Sequence, residues 1–522
     1  MKEIINLAQI VTSRGLANLP LLDLSSSQDT KELQLLRILS NEKELTERQL
    51  TKDIYGAFTP AALAAFQQLK ARLQAKLLNH LFFLDHTDPR HLVTRRYEMA
   101  VLHLLHQATA LTMEGEYGLA EQRLRRCLLL ANRDGFIAYA VQAARQLRTL
   151  YVTRRKPGRY REMVTELARL QQLQAWEDEA EHLNAEFRVA AGSTVATQHR
   201  LLPQLPAYLG QLEALHAQAQ TFNTYWLLYR ARLFYEQLRG NFLEIMRITA
   251  QAEQDLRAGQ LNERRFDYRY NHFMAVYGHL MSRQSLRGLE LAQHYLPAFH
   301  ASSTNWFAFQ ENHCLLALQA GDWDHARRVL DTVTANPSYP KQQAAARQRW
   351  DLYRTYLEFL LPGPGGRSAR QTVAQWALML PDFNRDKRGY HVAVLIVQLL
   401  YFLQRRDLDA VMVRLERLRK YQQLHLHEEP ALRSRLFLRL LMLLLDWDFN
   451  PRVCAQRGQS LLGKLQAAPL PGEAYAEIEV VPYEKLWELT LQLLQQGPPL
   501  AANAAPRRGR PRGKSRAITP TT

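Results

Sequence analysis

The stretch Leu315–Leu330, LLALQAGDWDHARRVL, decides how the rest of the chain is read. An apolar helical run ends at Gly321-Asp322, an aromatic residue follows at Trp323, and Ala326 and Leu330 stand three and seven positions further on. Gly takes the left-handed conformation that closes a helix, and the Asp beside it caps the next one. The aromatic wedges between the two helices, and a small residue three positions later lets their backbones approach. The stretch therefore predicts a helix, a tight turn and a second helix folded back on the first.

Relatives of this unit recur. Gly115-Glu116-Tyr117 is followed by Ala120 and Leu124, Gly158-Arg159-Tyr160 by Met163 and Leu167, and Gly240-Asn241-Phe242 by Ile245. Weaker copies centre on Leu286 with Leu289, and on Leu408 with Val411 and Leu415. Their separations are roughly one or two times ~42 residues, the sign of a helical array. Two copies are then missing, near residues 201 and 365, where Pro203, Pro206 and Pro362-Gly363-Pro364-Gly365-Gly366 lie. A single hairpin cannot bury its apolar face alone, so neighbouring hairpins must stack.

Gly115/Tyr117/Ala120 and Gly321/Trp323/Ala326, with Ala108 and Cys314 seven positions before each Gly, resemble the tetratricopeptide-repeat (TPR) family. The period here is longer than that family's ~34 residues, and its terminal Pro is mostly absent. The resemblance implies an all-α, right-handed solenoid of antiparallel TPR-like helix pairs over residues 95–496. It also implies that the first helix of each pair lines a concave groove. The first helices carry Tyr and Arg in excess, as in Tyr225–Arg232, Arg264–Phe273 and Arg347–Phe359. Through the resemblance, Arg230, Tyr268, Arg269, Asn271 and Arg354 become the groove residues. Arg forks hold carboxylates bidentately and Tyr offers flat contact at low entropy cost, so an acidic peptide or chain end is the expected ligand.

Composition agrees with a helical chain too long for one compact core. It has 522 residues, rich in Leu, Ala, Gln, Arg and Glu. No run of ~18 uncharged apolar residues is present, so no membrane span is expected. The N-terminus lacks a secretory signal's layout. Cys127, Cys314 and Cys454 are too far apart for a disulfide framework or a metal site, and a cytoplasmic location is expected. The formal charge of +17 favours acidic partners, peptide or nucleic acid.

Ahead of the array, residues 1–29 read as poorly structured. Residues 30–94 read as a small helical segment with a capping box at Thr46/Gln49 and a helix opened by Thr59-Pro60. Two readings stand for it. It is a cap over the first hairpin, or it is a helix-turn-helix whose third helix presents Lys70 and Arg72 to DNA. Residues 497–522 read as a disordered basic tail. Six of the positive charges fall between Arg507 and Arg516, and Arg508-Gly509-Arg510-Pro511 resembles an AT-hook, whose arginines lie in the A·T minor groove.

No phosphate loop, dinucleotide fingerprint or nucleophile elbow is present. The pairs His103/His106 and His425/His427 lack further ligands at metal spacing, so no cofactor or metal is expected. The leading expectation is a non-enzymatic scaffold binding a protein or peptide. The alternative is a DNA-binding regulator in which residues 30–84 and the tail contact DNA and the solenoid senses or dimerises.

Overall fold

The computed structural model describes residues 5, 7–9, 21–22, 30–40, 45–86, 88, 93–191, 201–361, 391–425, 432–468 and 479–496. Among these residues there is no strand, and the chain is helical throughout. It forms two compact units, Met1–Gln171 and Gln172–Thr522.

The first unit opens with α1 (Lys31–Ser40), α2 (Glu47–Tyr55) and α3 (Pro60–His80), the last running into a 3-10 turn at Leu81–Phe83. The expected capping box is formed. Thr46 accepts from the Gln49 amide, while its own amide donates to Gln49 Oε1 at 2.9 Å. The three helices share a core of Leu35, Leu50, Ile54, Phe66, Leu69 and Leu73. Leu22, from the stretch expected to be unstructured, is buried in it, and its amide donates to His80 Nε2 at 2.8 Å. There follow α4 (Val93–Met113), α5 (Tyr117–Asp134) and α6 (Ile137–Thr153), each packed on the next. Ala108, Ala120 and Cys127 are fully buried.

Helix α7 (Pro157–Ala191) is 35 residues long, and the division between the units falls inside it. The sequence around 171 carries no Gly or Pro, so nothing there stops the helix. Its Ala180 and Phe187 share a core with α8 (Leu205–Ala219) and α9 (Phe222–Arg239).

The second unit continues with α10 (Phe242–Arg257), α11 (Tyr268–Met281), α12 (Ser285–Tyr295), α13 (Thr304–Ala320), α14 (Trp323–Thr334) and α15 (Ala344–Leu360). The last five are α16 (His391–Gln404), α17 (Leu408–His425), α18 (Leu432–Asp446), α19 (Pro451–Ala467) and α20 (Tyr483–Gln495). Consecutive helices pack together from α8 to α20, and α11 also touches α13. The expected copy near 365 lies outside the described residues.

The turn chemistry holds, with a correction to its register. Gly115, Gly240 and Gly321 take φ values of 76°, 71° and 78°, and helices begin two residues later, at Tyr117, Phe242 and Trp323. Two copies were misplaced. The turn assigned to Gly158-Arg159-Tyr160 lies three residues earlier, where Arg155 has φ 52° and α7 starts at Pro157. The copy centred on Leu286 turns at Arg283, φ 60°, and starts at Ser285. Arg406, φ 58°, does the same before Leu408. The left-handed conformation costs a non-Gly residue about 1–2 kcal/mol, which is tolerated, so a search for Gly misses these turns. Three positions into the second helices, Ala120, Ile245, Ala326 and Val411 are fully buried. Gly288 leaves no room there, because a Cβ would meet Leu316 Cδ2 at 2.5 Å.

Several side-chain hydrogen bonds join residues 41 or 42 positions apart, alongside others at 37, 38 and 46. Tyr139 donates to Glu98 (3.0 Å), 41 residues away. Tyr229 donates to Asn271 (2.6 Å), Arg265 to Asn223 (2.6 Å), Tyr295 to Glu253 (2.8 Å) and Tyr353 to Glu311 (2.6 Å), each pair 42 residues apart.

The closing helix α20 packs on α16 and α19 and is clasped by arginines from three places. Arg433 of α18 is buried. It forks onto Glu479 (Nε to Oε2 2.9 Å, Nη2 to Oε1 2.7 Å), reaches Glu484 (3.1 Å), and donates to the Leu465 and Ala468 carbonyls. Arg283 stands 3.9 Å from Glu479 and 3.6 Å from Glu484. Arg406 donates to the Leu493 carbonyl at 2.7 Å, filling an acceptor that a helix C-terminus leaves open. Two of the left-handed arginines thus hold helix α20.

Candidate functional site

The sequence reading sought the ligand-binding face on the first helices of the pairs. In α9, Trp226 and Arg230 are four residues apart and share a helix face. Tyr270, on α11, meets the same face. The Arg230 guanidinium lies over both rings, 5.9 Å from the Trp226 centroid and 5.5 Å from Tyr270. The two rings stand edge to face at 5.6 Å. Trp226 also stacks on Phe222 (6.3 Å) and Tyr229 (5.6 Å) and meets Phe266 edge-on (5.8 Å). A second cation, Arg265, covers Phe222 at 4.8 Å and donates to Asn223. Phe222, Tyr225, Trp226, Arg230 and Tyr270 are all half-buried, so the cluster has an open side.

Arg230 differs from its neighbours in how its charge is matched. Among the described residues it makes no hydrogen bond and no ion pair, only the two ring contacts. A guanidinium carries five donors in a fixed fork. Here the cation lies within cation–π range of two rings, and its donors are unspent among the described residues. Ring contact of this kind matches the charge while leaving the donors for an acceptor such as a carboxylate. The floor beneath is rigid. Tyr229 is buried and its hydroxyl is tied to Asn271, whose amide donates in turn to the Thr249 carbonyl at 3.2 Å. Burial, with the neighbouring Tyr270 and Tyr225, raises the Tyr229 pKa well above its ordinary value, so it stays a neutral donor.

The other expected groove residues are placed differently. Asn271 is buried and both its polar atoms are engaged as just described. Arg269 is buried and stands 3.5 Å from Asp267. Tyr268 is half-buried, its ring 5.6 Å from that of His272. Arg354 is half-buried on α15 and sits among charges of both signs. Burial raises the pKa values of Asp351 and Glu358, and the pull of Arg354 on each carboxyl does not offset it. Of the five, Arg230 alone is brought onto the aromatic face. Trp226 and Tyr270 complete it, and Tyr270 was passed over for the residues on either side of it. The available signal was helical phase. Tyr270 lies 44 positions after Trp226, close to the expected spacing of ~42 residues, whereas the residues flanking Tyr270 turn inward on α11.

Lys70 and Arg72, expected to meet DNA, face acidic residues of their own bundle. Lys70 pairs with Glu47 at 2.5 Å and Arg72 with Glu32 at 3.7 Å. Lys76 also pairs with Glu32, at 2.7 Å. Arg508, Gly509, Arg510 and Pro511 lie outside the described residues. Between His103 and His106 the Phe82 ring intervenes, 4.7 and 5.3 Å from the two imidazoles. Among the described residues no cluster of His, Cys, Asp and Glu is placed to hold a metal ion, and no helix is long and apolar enough to cross a membrane.

No known protein family, no curated protein and no solved structure matches this chain.

Proposed function

We propose that this chain is a partner-binding scaffold of the cytoplasm, built as a right-handed solenoid of TPR-like helix pairs with a period of ~42 residues. The period is supported by the hydrogen bonds that join residues 41 or 42 positions apart. When pairs stack in register, a side chain meets its counterpart one repeat later, and short contacts of constant separation follow.

The ligand is an acidic peptide or a chain end, taken at the face of Trp226, Arg230 and Tyr270. The observation that carries this is the Arg230 guanidinium set over two rings, whose donors are unspent among the described residues. Planar rings give contact area at low entropy cost around it, the composition of a binding hot spot. The positive net charge of +17 steers acidic partners toward the chain. Lys70 and Arg72, the cations of the DNA-regulator reading at residues 30–84, pair with Glu47 and Glu32.

The test is a selection of random twelve-residue peptides on the full chain. The selected peptides carry Asp, Glu or a required free C-terminus, and Arg230→Ala and Arg230→Glu abolish their binding. Selection of peptides without acidic groups, or binding indifferent to Arg230, overturns the proposal.

A further inference from the structure

The turn between α6 and α7, Thr153-Arg154-Arg155-Lys156-Pro157-Gly158-Arg159-Tyr160-Arg161, departs from the other turns of its kind in three respects. The first is its charge. Arg154 (2.5 Å), Lys156 (2.7 Å), Arg159 and, at 3.7 Å, Arg125 all converge on one carboxylate, Glu121 of α5, which is 5% exposed. Burial alone would raise the Glu121 pKa. The hydrogen bond from Lys156 and the charges of Arg154 and Arg159 outweigh it and hold the group ionised. The other carboxylate near this cluster is that of Glu162, which acts on Arg125. Four cations therefore face two carboxylates, and Arg155 and Arg161 are exposed beside them.

The second departure is Arg155 itself. At the turns before α12 and α17 the left-handed arginines do visible work, since Arg283 faces Glu479 and Glu484 and Arg406 caps α20. Arg155 has the same strained φ of 52° but is exposed and makes no contact of its side chain among the described residues. The third is Tyr160. It occupies the position that is buried Ala120, Ile245, Ala326 or Val411 in other pairs, yet it is 38% exposed. A strained cation and an outward aromatic ring take the places of a relaxed Gly and a packed Ala.

We propose that this turn is a nucleic-acid-binding surface. Arg154, Arg155, Lys156 and Arg159 contact the phosphodiester backbone, and Tyr160 stacks on an unpaired base. Glu121 acts as an internal counter-ion that fans the cations into fixed positions, so little side-chain freedom is lost when phosphates replace water around them. Arginine forks match phosphate oxygens bidentately, and an exposed ring among them suits a single strand. The surface belongs to the first unit and is independent of the Arg230 face.

The experiment is fluorescence anisotropy of a labelled thirty-nucleotide oligothymidine with the full chain, from low to high salt. The wild-type protein binds, with an affinity that falls steeply as salt rises. The variant Glu121→Gln/Arg154→Gln/Lys156→Gln/Arg159→Gln removes the carboxylate together with its cations, so no buried charge is stranded. Losing three phosphate contacts lowers the slope of log affinity against log salt by about 2. Arg155→Gly is the second variant. It relieves the strained turn, so its melting temperature stays level or rises while oligothymidine binding weakens by roughly threefold to tenfold. The same losses persist when Arg508→Ala/Arg510→Ala is also present, which separates this surface from the tail. The proposal is overturned by absence of binding at low salt, by binding to phosphatidylserine vesicles without binding to the oligonucleotide, or by a slope that the fourfold variant leaves unchanged.

Discussion

Replacing Arg433 by Met should release the closing helix α20 while leaving the rest of the second unit folded. Arg433 is 2% exposed and supplies Nε and Nη2 to Glu479, Nη2 to Glu484, and Nη1 to the Leu465 and Ala468 carbonyls. With Arg283 alongside, two cations face two carboxylates and the cluster is neutral. Methionine has similar length but no charge, so Glu479 and Glu484 would be left with Arg283 alone, one negative charge in excess. Breaking a buried pair by removing one partner costs about 3–5 kcal/mol. Arg283 is only partly buried and can move toward the carboxylates, which places the expected cost at the lower end, about 3 kcal/mol. Native-state hydrogen exchange reads this locally. Amides of α20 should exchange about a hundredfold faster, at a tenfold change for every 1.4 kcal/mol, while those of α13 and α14 keep their rates. Adding Glu479→Gln to Arg433→Met should restore most of the protection, because Arg283 and Glu484 then remain as a neutral pair. If α20 exchange rises less than about fivefold in the single variant, the clasp does not hold the helix and the reasoning fails.

Other perturbations have defined outcomes. His313 is buried, its Nε2 lies 2.8 Å from His325 Nε2 and its Nδ1 3.0 Å from Gln310 Oε1. Burial, and secondarily His325, pushes its pKa down from 6.5 to about 4. The unfolded chain therefore binds the extra proton between pH 6.5 and 4. The stability is complete above pH 6.5 and about 3 kcal/mol is lost as pH falls to 4. His313→Gln should flatten that part of a melting-temperature profile, and an unchanged profile would contradict the assignment. Gly458→Ala places a Cβ 3.0 Å from the buried Trp487 ring and 3.3 Å from Leu440. It should cost about 1–3 kcal/mol in urea unfolding, and a neutral result would mean that Trp487 is free to shift. Thr46→Ala removes the capping box of α2. It should cost about 1 kcal/mol, visible as a lower urea midpoint for the first unit, with oligothymidine binding unchanged.

Helix content, the closing helix and the glycine turns could be read from the sequence because each depends on chemistry within a few residues. The Thr46 capping box and Thr59-Pro60 are local statements, and the chain obeys them. The turns at Arg155 and Arg283 were misplaced because a left-handed backbone costs Arg only modestly, so residue type does not mark the position. Asn271 and Arg269 were taken for ligand-facing side chains because composition shows that a helix carries Tyr, Arg and Asn without showing which way each turns. Arg230 was legible as a cation on an aromatic helix. Its lack of a counter-charge among the described residues was not, because that depends on helices far away in sequence. The Glu121 cluster was equally hidden, since it joins Arg154, Lys156 and Arg159 to a residue 33 to 38 positions earlier.

The most direct measurement is a double-mutant cycle between Arg230 and the acidic group of a peptide selected on the full chain. Binding is titrated for wild type and Arg230→Ala, each with the acidic peptide and with its Asn or Gln or C-terminal amide counterpart. If the Arg230 guanidinium holds that carboxylate, the coupling is at least about 1.5 kcal/mol, as for close charge pairs across an interface. A coupling near zero, with the peptide still bound, would place its carboxylate elsewhere and contradict the account.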